Sequence, residues 1–265
     1  MTWITTLWNG WAAWLARHAV EPVLAFTHIG RSAGDPRDIA EAAMIAVLQV
    51  CLIAFVMRPL ETWFSAERWE DRKLTHIDRT YTLLMLGGIF PLFSFLVLTP
   101  FANLLGGGDS SGPPAYGLTV WVPWFASHPY AAFAVYYIAY DFTYYWMHRA
   151  QHAIPWWWAL HSMHHSQRQM SCWTNDRGNY LDGGLQSIVL ALVGLALGVD
   201  ASQFAVLMLL GELVQNFSHT NVRIGFGRVL DRIFVAPVFH RLHHMVVDPD
   251  RPGLRRLPDA GAADR

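Results

Sequence analysis

Five histidines stand within eighteen residues of this chain, in the run HRAQHAIPWWWALHSMHH. His148 and His152 are four apart, and His161, His164 and His165 form an H-x-x-H-H. On a helix, residues four apart share nearly one face ~6 Å apart along the axis, and residues three apart are close neighbours. Each group can therefore aim its rings at one point. Neutral imidazole is a preferred ligand of zinc, iron, copper and nickel, so such a cluster suits a transition metal better than magnesium or calcium. A second H-x-x-H-H stands at His240, His243 and His244, and His219 lies between in QNFSHTN. Nine imidazoles exceed the roughly four to six positions of one ion and suit two ions with positions left open. His18, His28, His76 and His128 lack this spacing and read as interfacial or loop residues.

Two acids belong to the same pattern. Asp141 precedes His148 by seven residues and Glu212 precedes His219 by seven, which places each acid two turns deeper on its histidine's face. An ionisable group at membrane depth is costly without a partner, and hydrogen-bonding a ligand imidazole or a polar water network would supply one. The alternative is a helix-packing acid satisfied by a neighbour, most plainly for Asp141 beside Tyr144, Tyr145 and Arg149. Trp156, Trp157 and Trp158 are expected to anchor the loop between motifs at the lipid headgroups, with lining of the substrate path as the alternative, and Cys172, Asn175 and Arg177 to fill the loop that follows, with contact to substrate as the alternative. Gly225 and Gly227 form a G-x-G without strand context or a third glycine, which argues against a dinucleotide site.

The elements that must position these residues are apolar. The chain has 265 residues, 53% of them hydrophobic and only 15% charged, with thirteen tryptophans, too greasy for an ordinary soluble domain. Net charge is close to zero and the arginines are scattered, which discounts a nucleic-acid partner. Cys51 and Cys172 sit in unlike settings and imply no disulfide framework. Residues 1–30 lack the features of a secretory signal. Trp3, Leu7, Trp11, Trp14 and His18 recur at helical spacing, and either lie on the membrane surface or pack that stripe on other helices.

Residues 39–57 and 81–105 are long enough to span the bilayer, the second with a kink expected at Pro91. A third embedded segment runs from Tyr130 into His148, and 183–199 with 201–217 form a tight hairpin around Asp200. No Lys or Arg occurs between Arg79 and Arg149, so the loop at 106–114 should face away from the cytoplasm, while 58–79 and the arginine-flanked histidines should face it. This arrangement places Arg17, Arg31 and Arg37 outside unless the N-terminus lies along the inner surface. The expected fold is all-α, a multi-pass integral membrane bundle with a cytoplasmic-side metal site: 1–38 interfacial, 39–250 the membrane domain, 251–265 a disordered tail.

In its D-F-x-x-Y-W-x-H-R-x-x-H, W-x-x-H-x-x-H-H-S, H-T-N and H-R-x-H-H motifs, in that order over residues 80–250, the sequence resembles the fatty acid hydroxylase superfamily, sterol desaturase type. The resemblance implies a histidine-ligated diiron centre that activates O2 to hydroxylate or desaturate a fatty acyl, sterol-like or related lipid. Its ligands would be His148, His152, His161, His164, His165, His219, His240, His243 and His244, with Arg149 and Arg241 structural. Some members carry a further histidine where this chain has Gln215. The family's usual segment after the last motif is replaced by MVVDPDRPGLRRLPDAGAADR. With no flavin, haem or nicotinamide motif present, electrons would come from a separate reductase, cytochrome or ferredoxin. The alternative is a non-catalytic or degenerate metal-binding membrane protein. A transporter would spread its acids and histidines through the depth of the spans, and here they collect at one end.

Overall fold

Asp35 opens the first long apolar helix. Its carboxylate accepts a hydrogen bond from the Arg37 N–H at 2.8 Å, and Pro36 takes the first position, where a missing N–H costs nothing. The computed structural model describes residues 3–28, 35–69, 73–98, 100, 116–167 and 169–244, so the 106–114 loop and the 251–265 tail lie outside the described residues. Helix α1 covers 3–27, α2 is Pro36–Trp63 and α3 is Lys73–Leu98. Then follow α4 (Pro129–Ala153), α5 (Pro155–His161), α6 (Tyr180–Leu197), α7 (Ala201–Ser218) and α8 (Pro237–His243). Among the described residues the one strand-like pairing is the antiparallel bridge between Ser65 and Val222, and the fold is all-α.

Helices α2, α3 and α6 are each long and apolar enough to cross a membrane. Helices α4 and α7, also expected to be embedded, do not reach that standard. Asp141, His148, Arg149 and His152 lie on α4, and Glu212, Gln215 and Asn216 on α7. Helix α3 passes Pro91 as a helix, with π-type turns at Met85–Ile89 and Ser94–Leu98 on either side. Such a turn absorbs the hydrogen bond that proline cannot make.

Helix α4 packs on α6 and α7, α2 on α7, and α5 folds back on α4. The α6–α7 turn is tight because Gly198 adopts the left-handed conformation (φ 67°), with its N–H and that of Val199 bonding the Leu195 and Gly194 carbonyls at 3.0 Å. Asp200 then caps α7 through the Gln203 N–H at 2.9 Å. Gly117 packs against the Leu197 backbone at this end. At the other end, 61–67, 171–177 and 219–223 are bonded together, and the histidines collect there. Helix α1 rests on α2 through the buried Ala12 and Ala16, and its Trp3, Leu7, Trp11 and Trp14 stripe faces outward.

Candidate metal centre

Helix α4 ends with His148 and His152 one turn apart. Ile154, in extended conformation before Pro155, turns the chain back into α5, whose last residue is His161, and the next turn carries His164 and His165. His219 sits just past α7, His240 and His243 on α8, and His244 just after it. The ligand atoms of His148, His152, His165 and His243 all lie within 4.8 Å of one another, and so do those of His164, His219, His240 and His244. The two quartets adjoin, with the rings of His165 and His244 stacked 4.1 Å apart. His161 belongs to neither, yet its ring stands 4.9 Å from His148, 5.1 Å from His165 and 5.2 Å from His164.

Tautomers decide what this arrangement can hold. His164 Nδ1 donates to the Arg177 carbonyl at 3.0 Å and His219 Nδ1 to the Gln215 carbonyl at 2.7 Å. A carbonyl only accepts, so each neutral ring carries its hydrogen on Nδ1 and has a bare Nε2. Those two Nε2 atoms face each other at 3.0 Å, lone pair to lone pair, which a cation between them would relieve. Nitrogens ~2.1 Å from one ion and at right angles about it stand ~3.0 Å apart. The same spacing recurs from His219 to His240 (3.0 Å), His240 to His244 (3.1 Å) and His148 to His243 (2.9 Å). Among the described residues the buried Nε2 atoms of His152, His161 and His165 have no hydrogen-bond partner. These residues fit transition-metal ions. Burial, reinforced by neighbouring rings, holds His164, His219, His240 and His244 well below the ordinary histidine range and His165 down to about 2. The rings are therefore neutral at neutral pH, the form that binds metal.

The carboxylate behind the histidines is Asp182, in the first turn of α6. It accepts from His161 Nδ1 at 2.9 Å, Gln151 Nε2 at 2.6 Å and Trp157 Nε1 at 2.7 Å. An acid standing near the start of an otherwise apolar run was the signal that could have found it. Asp141 is exposed on α4, and Glu212 accepts from Asn175 Nδ2 at 2.7 Å. Among the described residues neither bonds a histidine. Seven residues are ~10 Å along a helix, beyond the reach of a carboxylate. Gln215 acts through its backbone carbonyl. Arg149 bonds the Tyr145 hydroxyl at 3.1 Å and lies over the Trp146 ring, and the buried Arg241 pairs with Glu67.

The loop after the second motif is bonded in from several sides. Glu61, 2% exposed at the end of α2, accepts from the backbone N–H groups of Cys172 (2.7 Å) and Asn221 (2.9 Å). Asp78 on α3 accepts from Thr174 at 2.9 Å and Arg177 at 3.1 Å, and Thr82 donates to the Trp173 carbonyl at 3.1 Å. That grip fixes the Arg177 carbonyl on which His164 depends. Cys172, Asn175 and Arg177 are thus tied to three helices.

Residues 133–251 match the family model described as fatty acid hydroxylase. Alkylglycerol monooxygenase of Homo sapiens is 35% identical over 104 residues, 39% of this chain and 23% of that protein. The Xenopus tropicalis protein of the same name is 32% identical over 104 residues (39% and 23%), and that of Caenorhabditis elegans 33% over 106 residues (39% and 20%). The aligned stretch covers 20–23% of the length of these relatives. No solved structure matches the chain.

Proposed function

We propose that this chain, which carries a fatty acid hydroxylase domain across residues 133–251, is a membrane-bound diiron oxygenase that hydroxylates or desaturates a lipid with dioxygen and electrons from a separate protein. The observation that carries the reading is the pair of bare Nε2 atoms of His164 and His219, held face to face by carbonyls within one of two adjoining histidine quartets. Iron bound there would supply the activation of dioxygen and the removal of hydrogen from an unactivated C–H bond, chemistry that side chains do not perform unaided. The chain's own part is to hold nine rings converged. Asp182 fixes the ring of His161, and the carbonyls of Arg177 and Gln215 fix those of His164 and His219.

Three apolar helices favour a substrate that arrives from the bilayer, and the names of the relatives point to a lipid. The site is bonded to the end of α2 and the segment after it, within the basic stretch 58–79, which supports a cytoplasmic-side centre reached by a soluble reductase, cytochrome or ferredoxin. Membranes containing the chain, given NADPH with a ferredoxin and its reductase under isotope-labelled dioxygen, should yield a lipid that carries the label or has lost two hydrogens. Conversion that persists without dioxygen would refute the proposal.

A further inference from the structure

The segment 225–235 runs between His219 and His240, and every residue in it except Asp231 is exposed. Val229 is 71% and Ile233 68% exposed, with Leu230, Phe234 and Val235 beside them also open. The ring of Phe226 stands edge-on to that of Phe234 at 6.4 Å, which makes the face continuous. A contiguous apolar face of this kind marks contact with a protein or a membrane.

Depth separates the two. Helix α2 has 28 residues, ~42 Å of helix against a hydrocarbon core of ~30 Å, so its ends reach the headgroups. The exposed Trp63 and Phe64 stand at its C-terminal end, and aromatic rings suit the membrane boundary. The Arg223 N–H donates to the Phe64 carbonyl at 2.9 Å, and Val222 pairs with Ser65. The segment therefore starts at headgroup level. It returns there, because the Val238 N–H reaches the Ile224 carbonyl at 3.4 Å. An apolar face at that level meets acyl chains, and a soluble protein would have to displace lipid to cover it. Charge agrees with depth. Arg223, Arg228 and Arg232 are exposed, and among the described residues none of them joins an ion pair. Asp231, the segment's one acid, is taken up by the Phe226 N–H, which donates to it at 2.7 Å. An arginine lays its stem along apolar surface and holds its guanidinium out to phosphate. Going beyond the oxygenase reading, we infer that residues 223–235 form a lipid-docking surface that seats Val229 and Ile233 among acyl chains and Arg228 and Arg232 on the phosphates of anionic headgroups.

The test uses the full chain in nanodiscs, with a bimane label on Ile233→Cys and, separately, on Val229→Cys, in a background without Cys51 and Cys172. Lipids brominated on the acyl chain should quench both labels, and aqueous iodide should quench neither. Brominated phosphatidylglycerol should compete for the site about fivefold better than brominated phosphatidylcholine, the scale of one arginine at an anionic surface. Arg228→Gln combined with Arg232→Gln should abolish that preference while acyl-chain quenching persists. Quenching by iodide alone would place the face in water and overturn the inference. Protection from both quenchers would overturn it too, by showing a protein surface such as a second copy of the chain in the lipid's place. Equal competition by the two lipids with both arginines present would overturn the anionic specificity. Two separate label positions keep the test decisive where one variant fails to fold. Neither metal nor turnover enters the measurement, so failure of the oxygenase reading and failure of this one are separate results.

Discussion

At the scale of single residues, Asp182 carries the most for its size: one carboxylate takes hydrogen bonds from a ligand-type histidine, a glutamine and a tryptophan. Asp182→Ala frees His161 to rotate and should weaken metal retention about 10- to 100-fold, read by competition with a chelator, with Asp182→Asn in between. Retention equal to the unaltered chain would show that His161 is not held for metal. The histidines also set a pH dependence. In the unfolded chain they take protons near the ordinary value of ~6.5, while burial keeps His164, His219, His240 and His244 neutral in the fold well below it. The unfolded state then binds more protons, so the metal-free fold should lose stability as pH falls below ~6.5 and be insensitive just above it. Unfolding temperature followed by tryptophan fluorescence checks this, and a flat profile from pH ~7 to ~5 would contradict it. The nine histidines were legible in the sequence because ligand spacing on helices and short turns is local. Asp182 was legible only as an acid near the start of an apolar run; its donors Gln151, Trp157 and His161 come from α4 and α5, and no local spacing announces a contact made across helices.

At the scale of elements, the arrangement depends on the grip of the helices on the loop of residues 169–179. Glu61→Leu leaves the N–H groups of Cys172 and Asn221 without their acceptor, at ~1–3 kcal/mol for each group left unpaired. The expected outcome is a lower unfolding temperature together with looser metal binding, since the same loop carries the carbonyl that orients His164. A variant that lost neither would show the loop to be independently stable. Gly211 lets α7 approach α4: a methyl group there would stand 2.7 Å from the Tyr140 ring. Gly211→Ala should therefore destabilise by about 1–3 kcal/mol, the usual cost of overpacking, and an unchanged unfolding temperature would contradict the close packing. The hairpin around Asp200 was readable, because an acid between two apolar runs is both a break and a cap. The loop was not. Its anchors, Glu61, Asp78 and Thr82, lie far upstream and read in the sequence as ordinary polar residues near helix ends.

At the scale of the whole molecule, the sequence pointed to an all-α membrane bundle with histidines gathered at one end, and its composition made that visible. Helices α4 and α7, expected to be embedded, carry polar residues of the site and are not among the three helices long and apolar enough to cross a membrane. Orientation can be tested with single cysteines in a background without Cys51 and Cys172. Arg68→Cys should react with an impermeant reagent from the cytoplasmic face and Ser127→Cys from the opposite face, and the reverse pattern would invert the proposed topology. The central claim is that nine imidazoles serve two ions. The most direct measurement is the metal content of chain purified from iron-replete cells, compared with His165→Ala and His240→Ala, one from each quartet. Two tightly held irons per chain, with a loss in each variant, is the result predicted. A single ion, exchangeable zinc or no metal in the unaltered chain would contradict the claim.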